Sequence, residues 1–144
     1  MKRRLIPLAG FALIALVQLM HAQASAPAAS GPGSRNYNPA TEITVKGTIE
    51  DVMQSSGRHG WSGIHLSLKA DQGICDVHVG PASFVSAQQF TFSKGDSIEV
   101  TGSKTKMNGK EVVIARQITK DGKVITLRDE QGFPKWSTAA SRNK

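Results

Sequence analysis

The sequence predicts an all-β fold, a small barrel with one short helix, on the basis of two observations. From Thr41 onward, apolar and polar residues alternate along most segments, which is typical of strands that bury one face. Helical periodicity is nearly absent, except for a short apolar stripe that follows Gly80-Pro81. The predicted order is therefore three strands, a short helix and two more strands.

The first predicted strand is long and bends. In the segment TEITVKGTIEDV, one face carries Ile43, Val45, Gly47 and Ile49. The alternation then slips, which puts Val52 on the opposite face. A central glycine together with a slip predicts a strand that bends and serves both halves of a small barrel.

The second and third strands lie on either side of a turn at Asp71-Gln72-Gly73. Their inward residues are Ile64, Leu66, Leu68 and Ala70 on one strand and Cys75, Val77 and Val79 on the other. Aligning these faces gives the pairs Leu66 with Val77 and Leu68 with Cys75. The same register sets His65 opposite His78 and Ser67 opposite Asp76 on the outer face.

The fourth and fifth strands form a hairpin around Asn108-Gly109, a strong signal for a two-residue turn. An uninterrupted ladder from this turn would pair the apolar Val100 with the polar Gln117. We therefore expect a bulge close to Gly102. The inward residues that the bulge should bring together are Ile98, Val100, Ile114 and Ile118.

The order of these elements is that of an OB-fold, a five-stranded Greek-key barrel. Pro81 suits the first position of the helix between strands three and four, and Phe84 belongs to its apolar stripe. The alternatives are another small barrel or a two-sheet sandwich. A sandwich would not need a helix at this place.

In the segment VITLRDE, Ile125 and Leu127 alternate with the outward residues Val124, Thr126 and Arg128. This alternation predicts an additional strand appended to the barrel. It is followed by a turn and then by Phe133 and Trp136. Large aromatic groups can cover the open end of a small barrel, so we interpret LRDEQGFPKW as a structural clasp. The alternative is that this segment forms a ligand site.

Residues 1–24 have the three zones of a signal peptide. Three basic residues precede the apolar run Leu5–Met20, and Ala22-Gln23-Ala24 offers a small-x-small cleavage site, with Ala26 as the second choice. The apolar run is shorter than the ~20 residues that span a bilayer, so we expect cleavage and no stable membrane anchor. The protein is therefore expected in the periplasm or secreted.

The rest of the chain divides into three parts. Residues 25–40 are rich in Ala, Pro, Gly and Ser, which predicts a flexible linker. Residues 41–137 form the barrel domain, and residues 138–144 form a disordered tail. Without the leader, 15 Lys and Arg face 11 Asp and Glu, a modest excess that is unlike a dedicated nucleic-acid binder.

Cys75 is the single cysteine, so no internal disulfide can form in an oxidising compartment. Its inward position predicts a buried, unreactive thiol. The alternative, an intermolecular disulfide or redox role, requires the thiol to be exposed.

Four phrases resemble a family of small exported bacterial OB-fold-like proteins over about Thr41 to Ser137. They are HVGPASF, KGDSIEVTGSK, NGKEVVIARQI and LRDEQGFPKW, in this order. The resemblance implies the fold and export, with no agreed ligand. Some relatives of this type carry a DNA-binding label, but a fold does not settle a function.

OB-folds usually bind ligands on strands two and three beside the first loop, here the glycine-rich segment 55–63. The candidate ligand-binding residues are Arg58, His59, Trp61, His65, Lys69 and His78. If they converge, the residues His59, His65, Asp76 and His78 could bind Zn, Cu or haem, which is the first alternative function. The alternative is that these are ordinary polar residues of an outer face and bind no ligand.

No motif predicts an enzyme. Gly60-Trp61-Ser62-Gly63 superficially suggests a nucleophile elbow, but the final glycine and the strand-turn-helix context are missing. Single-stranded nucleic acid, the second alternative, is not the expected ligand because the outward positions of strands two and three carry no Phe, Tyr or Trp. We therefore predict a binding or accessory module whose partner is a periplasmic protein or a small ligand.

Overall fold

The computed structural model describes residues 36–57 and 62–137. The strands are β1 (Glu42–Ser56), β2 (Ser62–Ala70), β3 (Gly73–Pro81), β4 (Ser97–Met107), β5 (Lys110–Lys120) and β6 (Lys123–Thr126). A short helix, α1 (Ala82–Ala87), lies between β3 and β4, and a 3-10 turn (Pro39–Thr41) precedes β1. Within the described residues, no helix is long and apolar enough to cross a membrane.

The strands form one sheet in the order β3-β2-β1-β4-β5-β6, and neighbouring strands are antiparallel. The sheet closes into a barrel because β3 also pairs with β5, in parallel, at residues 76–78 and 112–114. Five strands therefore form a closed barrel with α1 between the third and fourth. This topology confirms the predicted OB-fold, and β6 is the predicted additional strand.

The slip in β1 is a β-bulge. Ile49 pairs with Leu68 and Asp51 with Ser67, which leaves Glu50 as the extra residue. The expectation that Val52 points away from the core was wrong, because the bulge returns it to the inward face, where it packs against the core. β1 pairs with β2 along one part and with β4 along another, as expected of a bent strand.

Gly47 lies where β1 pairs with both neighbours, opposite Ala70 on β2 and Ile98 on β4. A Cβ atom at this position would collide with the main-chain oxygen of Lys69 and would lie 2.9 Å from a side-chain carbon of Leu68. The central glycine is therefore required by the close approach of β2.

The predicted register of β2 and β3 is confirmed at every named pair, including His65 opposite His78. The turn between β4 and β5 has positive φ at Asn108 and Gly109, 51° and 80°, as a two-residue turn of this kind requires. The predicted bulge is also confirmed, since the register shifts between Thr101 and Gly102.

The bulge restores the pairing of Val100 with Ile118. The expectation for Ile114 was wrong: it pairs with Ser103 and is buried outside the main core. The physical reason is that the bulge leaves Arg116 unpaired in the β4 ladder and changes the phase of β5. Between the β4–β5 turn and the bulge, Val113 and Ala115 therefore face the core.

The core is one cluster of apolar side chains contributed by all six strands and α1. Its largest fully buried members are Ile49, Leu66, Leu68, Val77, Val79, Val85, Val100, Val113, Ile118 and Leu127. The contribution of Leu127, which follows β6, shows that the C-terminal extension is part of the folded domain.

Pro81 occupies the N-cap position of α1, with φ −63° and ψ 132°, rather than the first helical position that the sequence predicted. Its extended ψ continues β3, so the helix begins one residue later. Phe84 is half-buried and packs against the core, while Val85 from the same turn is inside it.

The folded domain begins before Thr41, contrary to the predicted end of the linker. Tyr37 is buried, with 3% of its surface exposed. The N–H of Asn38 donates to the hydroxyl of Ser103 over 3.0 Å, and its side chain caps the 3-10 turn. The linker prediction rested on composition and overlooked Tyr37, the single aromatic residue of this segment, whose ring is buried.

Candidate functional site

The outer face of β2 and β3 brings together two histidines. His65 and His78 are direct cross-strand neighbours, and their ring centroids lie 4.2 Å apart with the planes at 88°. The Nε2 atom of His65 lies 3.0 Å from the Ser55 hydroxyl oxygen on β1. Three strands therefore contribute polar groups to one small area of the outer face.

The two imidazoles differ in their surroundings. Burial lowers the pKa of His78 below its ordinary value, and the nearby His65 lowers it further. His78 is therefore neutral at neutral pH, which is the protonation state in which a histidine can bind a metal ion.

The other predicted ligand residues are only partly brought into this area. Asp76 lies opposite Ser67 on the same outer face, two residues before His78 on β3. Lys69 is exposed and lies 4.0 Å from the carboxylate of Glu50. Arg58, His59 and Trp61 lie outside the described residues.

The loop between β1 and β2 is shorter than the predicted segment 55–63. The ladder continues to the pair Ser56 and Ser62, so residues 57–61 make the connection. Ser55 and Gly63 are paired strand residues, and the pairing of Ser55 places its hydroxyl beside His65.

The described residues do not assemble the predicted metal site, although they pair two of its histidines. In residues 36–57 and 62–137, no group of three or more His, Cys, Asp or Glu side chains is placed to hold a metal ion. Asp76 therefore does not join the pair as a third ligand in this arrangement, although the sequence had placed it in the predicted set.

The C-terminal segment packs on the end of the barrel near α1. Trp136 is half-buried, with its ring 5.6 Å from that of Phe84, and its carbons occupy the space beside Gly80. Phe133 is also half-buried, and its N–H donates to the carboxylate of Asp129. The structure thus places Trp136 where a clasp was predicted.

Arg128 is the part of this arrangement that the sequence did not indicate, because alternation placed it on the outer face. Its guanidinium donates to the main-chain oxygens of Val79 and Ala115, on the two strands that close the barrel. It also lies 4.8 Å from the Trp136 ring. Burial lowers the pKa of Arg128 to about 10, so the group remains charged at neutral pH.

The sequence also did not predict a second polar cluster. Arg116 donates two hydrogen bonds to the Glu42 carboxylate, of 2.9 and 2.7 Å, and the Tyr37 hydroxyl donates a third of 2.6 Å. The hydrogen bonds from Arg116 lower the pKa of Glu42. This cluster ties the N-terminal segment to β5 and has the character of a structural link.

Cys75 is half-buried, rather than fully buried as predicted. Its side chain packs against the core on one side and lines a cavity on the other. Burial raises the pKa of the thiol, which keeps it protonated at neutral pH.

Comparisons with known proteins give a family and a number of distant structural likenesses, including the following two. No curated protein matches the chain. The dimeric N-terminal domain of PriB from Thermoanaerobacter tencongensis is 13% identical, with 56% of this chain and 96% of that chain covered and a TM-score of 0.45. The mitochondrial single-stranded DNA binding protein Rim1 from S. cerevisiae is 10% identical, with 59% and 93% covered and a TM-score of 0.43.

The family assignment comes from the barrel itself. Residues 41–125, which run from the residue before β1 through most of β6, match the family model of the MamS/MamX magnetosome proteins. The chain therefore belongs to the MamS/MamX magnetosome protein family.

Proposed function

We propose that this protein is an exported, non-enzymatic binding module that serves magnetosomes and binds its ligand on the outer face of β2 and β3. Family membership supports the association with magnetosomes. The three-zone pattern of residues 1–24 supports export. The choice of face rests on one observation, the cross-strand pair of His65 and His78.

The chemistry of this pair favours a transition-metal ion as the ligand. Neutral imidazole suits Zn, Cu, Ni and Fe, and at least one member of the pair has a lowered pKa that keeps it neutral. Two ring nitrogens from adjacent strands provide two ligands at a fixed spacing. Water, or a donor from outside the described residues, would complete the coordination of a bound ion.

The outer face gives less support to nucleic acid. Its described positions on β2 and β3 carry His65, Ser67, Lys69, Ile74, Asp76 and His78. Single-stranded nucleic acid is bound mainly by stacking on aromatic platforms together with basic groups. Among these positions one lysine supplies fixed positive charge, and none supplies a Phe, Tyr or Trp ring.

Calorimetric titration of the chain from Ser25 with Zn(II) and Cu(II) tests the proposal. We expect binding at about one equivalent, which weakens at acidic pH because protonated histidine is not a ligand. Haem is tested in parallel by its absorbance. The variant His65→Ala with His78→Ala should lose the binding and remain folded, since both side chains lie on the outer face.

The matched control is Ser67→Ala, which changes a polar residue of the same face between the two histidine positions and the β2–β3 turn. It should bind the metal as the unmodified protein does. Equal affinity of the double histidine variant would show that any bound metal lies elsewhere. Absence of binding by the unmodified protein would reject metal as the ligand of this face.

A further inference from the structure

The two ends of the barrel differ, because one is covered by packed side chains and the other opens into a cavity. At one end α1, Phe84 and Trp136 pack against the core. At the other end, beside the β2–β3 turn, a cavity of about 660 Å³ opens between β1, β3, β4 and β5. α1 follows the opposite end of β3, so neither the helix nor the clasp reaches this cavity.

The wall of the cavity is apolar where it meets the core. Ile43, Val45 and Cys75 are inward-facing residues that pack against the core but remain half-buried, because the cavity lies beside them. Val113 completes this wall, and Ile74 stands at the rim with 67% of its surface exposed. Large apolar side chains left open in this way are typical of ligand pockets.

The charged groups around the cavity compensate one another. Lys104 forms an ion pair of 3.0 Å with Glu111, and both line the cavity. Lys46 is paired over 3.0 Å with Glu99, and Asp71 contributes one further negative charge. A rim with nearly balanced charge favours an uncharged ligand over an anion or a cation.

We propose that this end of the barrel is a binding site for a small uncharged apolar molecule, which packs against Ile43, Val45 and Cys75. The volume lies within the ~300–1,000 Å³ that small-molecule sites occupy. The site is separate from the histidine pair, since Cys75 faces inward whereas His65 and His78 lie on the outer face of the same strands. A negative result for metal binding at the histidine pair would therefore not contradict this proposal, and a negative result here would not contradict metal binding.

Cys75 provides a direct reporter because it is the single cysteine of the chain. The uncharged fluorophore N-phenyl-1-naphthylamine serves as the ligand probe. We expect its fluorescence to rise on binding at about one equivalent, as it does in an apolar pocket. Bound probe should also slow the alkylation of Cys75 by iodoacetamide, followed by intact mass at mildly alkaline pH, where the thiolate is populated.

A pair of tryptophan variants locates the probe. Val45→Trp places a bulky ring in the cavity and should weaken probe binding by at least about tenfold. Val124→Trp is the matched control, because Val124 is an exposed residue of β6 beside a different groove. The control should leave both the probe affinity and the protection of Cys75 unchanged.

Several outcomes would overturn the proposal. Probe binding that does not protect Cys75, or that Val124→Trp abolishes, would place the probe elsewhere. Protection of Cys75 that rises with protein concentration in the absence of probe would show a second copy over the cavity. The alkylation measurement uses the unmodified chain, so it decides the question even where Val45→Trp does not fold.

Discussion

Replacement of Trp136 by alanine tests whether the C-terminal segment holds the barrel together. The indole contacts three structural elements at once. Its ring packs against that of Phe84 on α1, with the centroids 5.6 Å apart and the planes tilted by 60°. It also fills the space beside Gly80 at the end of β3, and lies 4.8 Å from the guanidinium of Arg128. Arg128 in turn bonds to the main chain of β3 and β5.

The magnitude follows from these contacts. Removing a fully buried large aromatic ring costs ~3–5 kcal/mol, so the half-buried Trp136 should lose about 2 kcal/mol of burial. Loss of the cation–π contact with Arg128 adds ~0.5–1 kcal/mol. We therefore expect Trp136→Ala to lower the free energy of unfolding by about 2–3 kcal/mol. For a domain of about 100 residues this corresponds to a fall in Tm of roughly 10–20 °C.

Urea unfolding followed by far-ultraviolet circular dichroism measures the effect without relying on the fluorescence of the ring that is removed. Trp136→Phe is the matched control, since it keeps an aromatic ring against Phe84 and should lose only about 1 kcal/mol. A free energy for Trp136→Ala within about 0.5 kcal/mol of the unmodified value would refute the clasp.

Three further predictions concern the packing of Tyr37, the ion pair of Glu42 and the cleavage of the N-terminal leader. Gly132→Ala should destabilise the domain by ~1–3 kcal/mol in urea unfolding, because φ is +86° at this position and a Cβ would collide with the side chain of Tyr37. An unchanged midpoint of urea unfolding would contradict the packing of Tyr37 against Gly132. Glu42→Gln should flatten the pH dependence of stability. Arg116 lowers the pKa of Glu42 in the folded state. The stability that Glu42 contributes is therefore present at pH values above 4.5, its ordinary pKa, and is lost as the pH falls through the lower pKa of the folded state. Identical pH profiles of stability for the variant and the unmodified protein would count against the pair of Glu42 and Arg116. Export predicts a mature protein that begins at Ser25, and intact mass of the native protein showing a retained Met1 would disprove it.

The sequence was sufficient to predict the register of the β2–β3 hairpin and the bulge of the β4–β5 hairpin, but not the face of Ile114. Alternation along β2 and β3 placed His65 opposite His78, and apolar matching around Gly102 predicted the β4–β5 bulge, both confirmed. These features depend on residues that are close in the chain and on a side-chain period of two, which local patterns reveal. The candidate histidine pair was therefore accessible from the sequence.

The tertiary structure decided which polar residues are buried and which end of the barrel is left open. Tyr37 and Arg128 were assigned to a linker and an outer face, yet one packs against Gly132 and the other bonds to Val79 and Ala115. The cavity beside Cys75 likewise exists because the clasp closes only the end near α1. Burial depends on contacts between segments far apart in the chain, and periodicity within one segment carries no information about what a distant segment will cover.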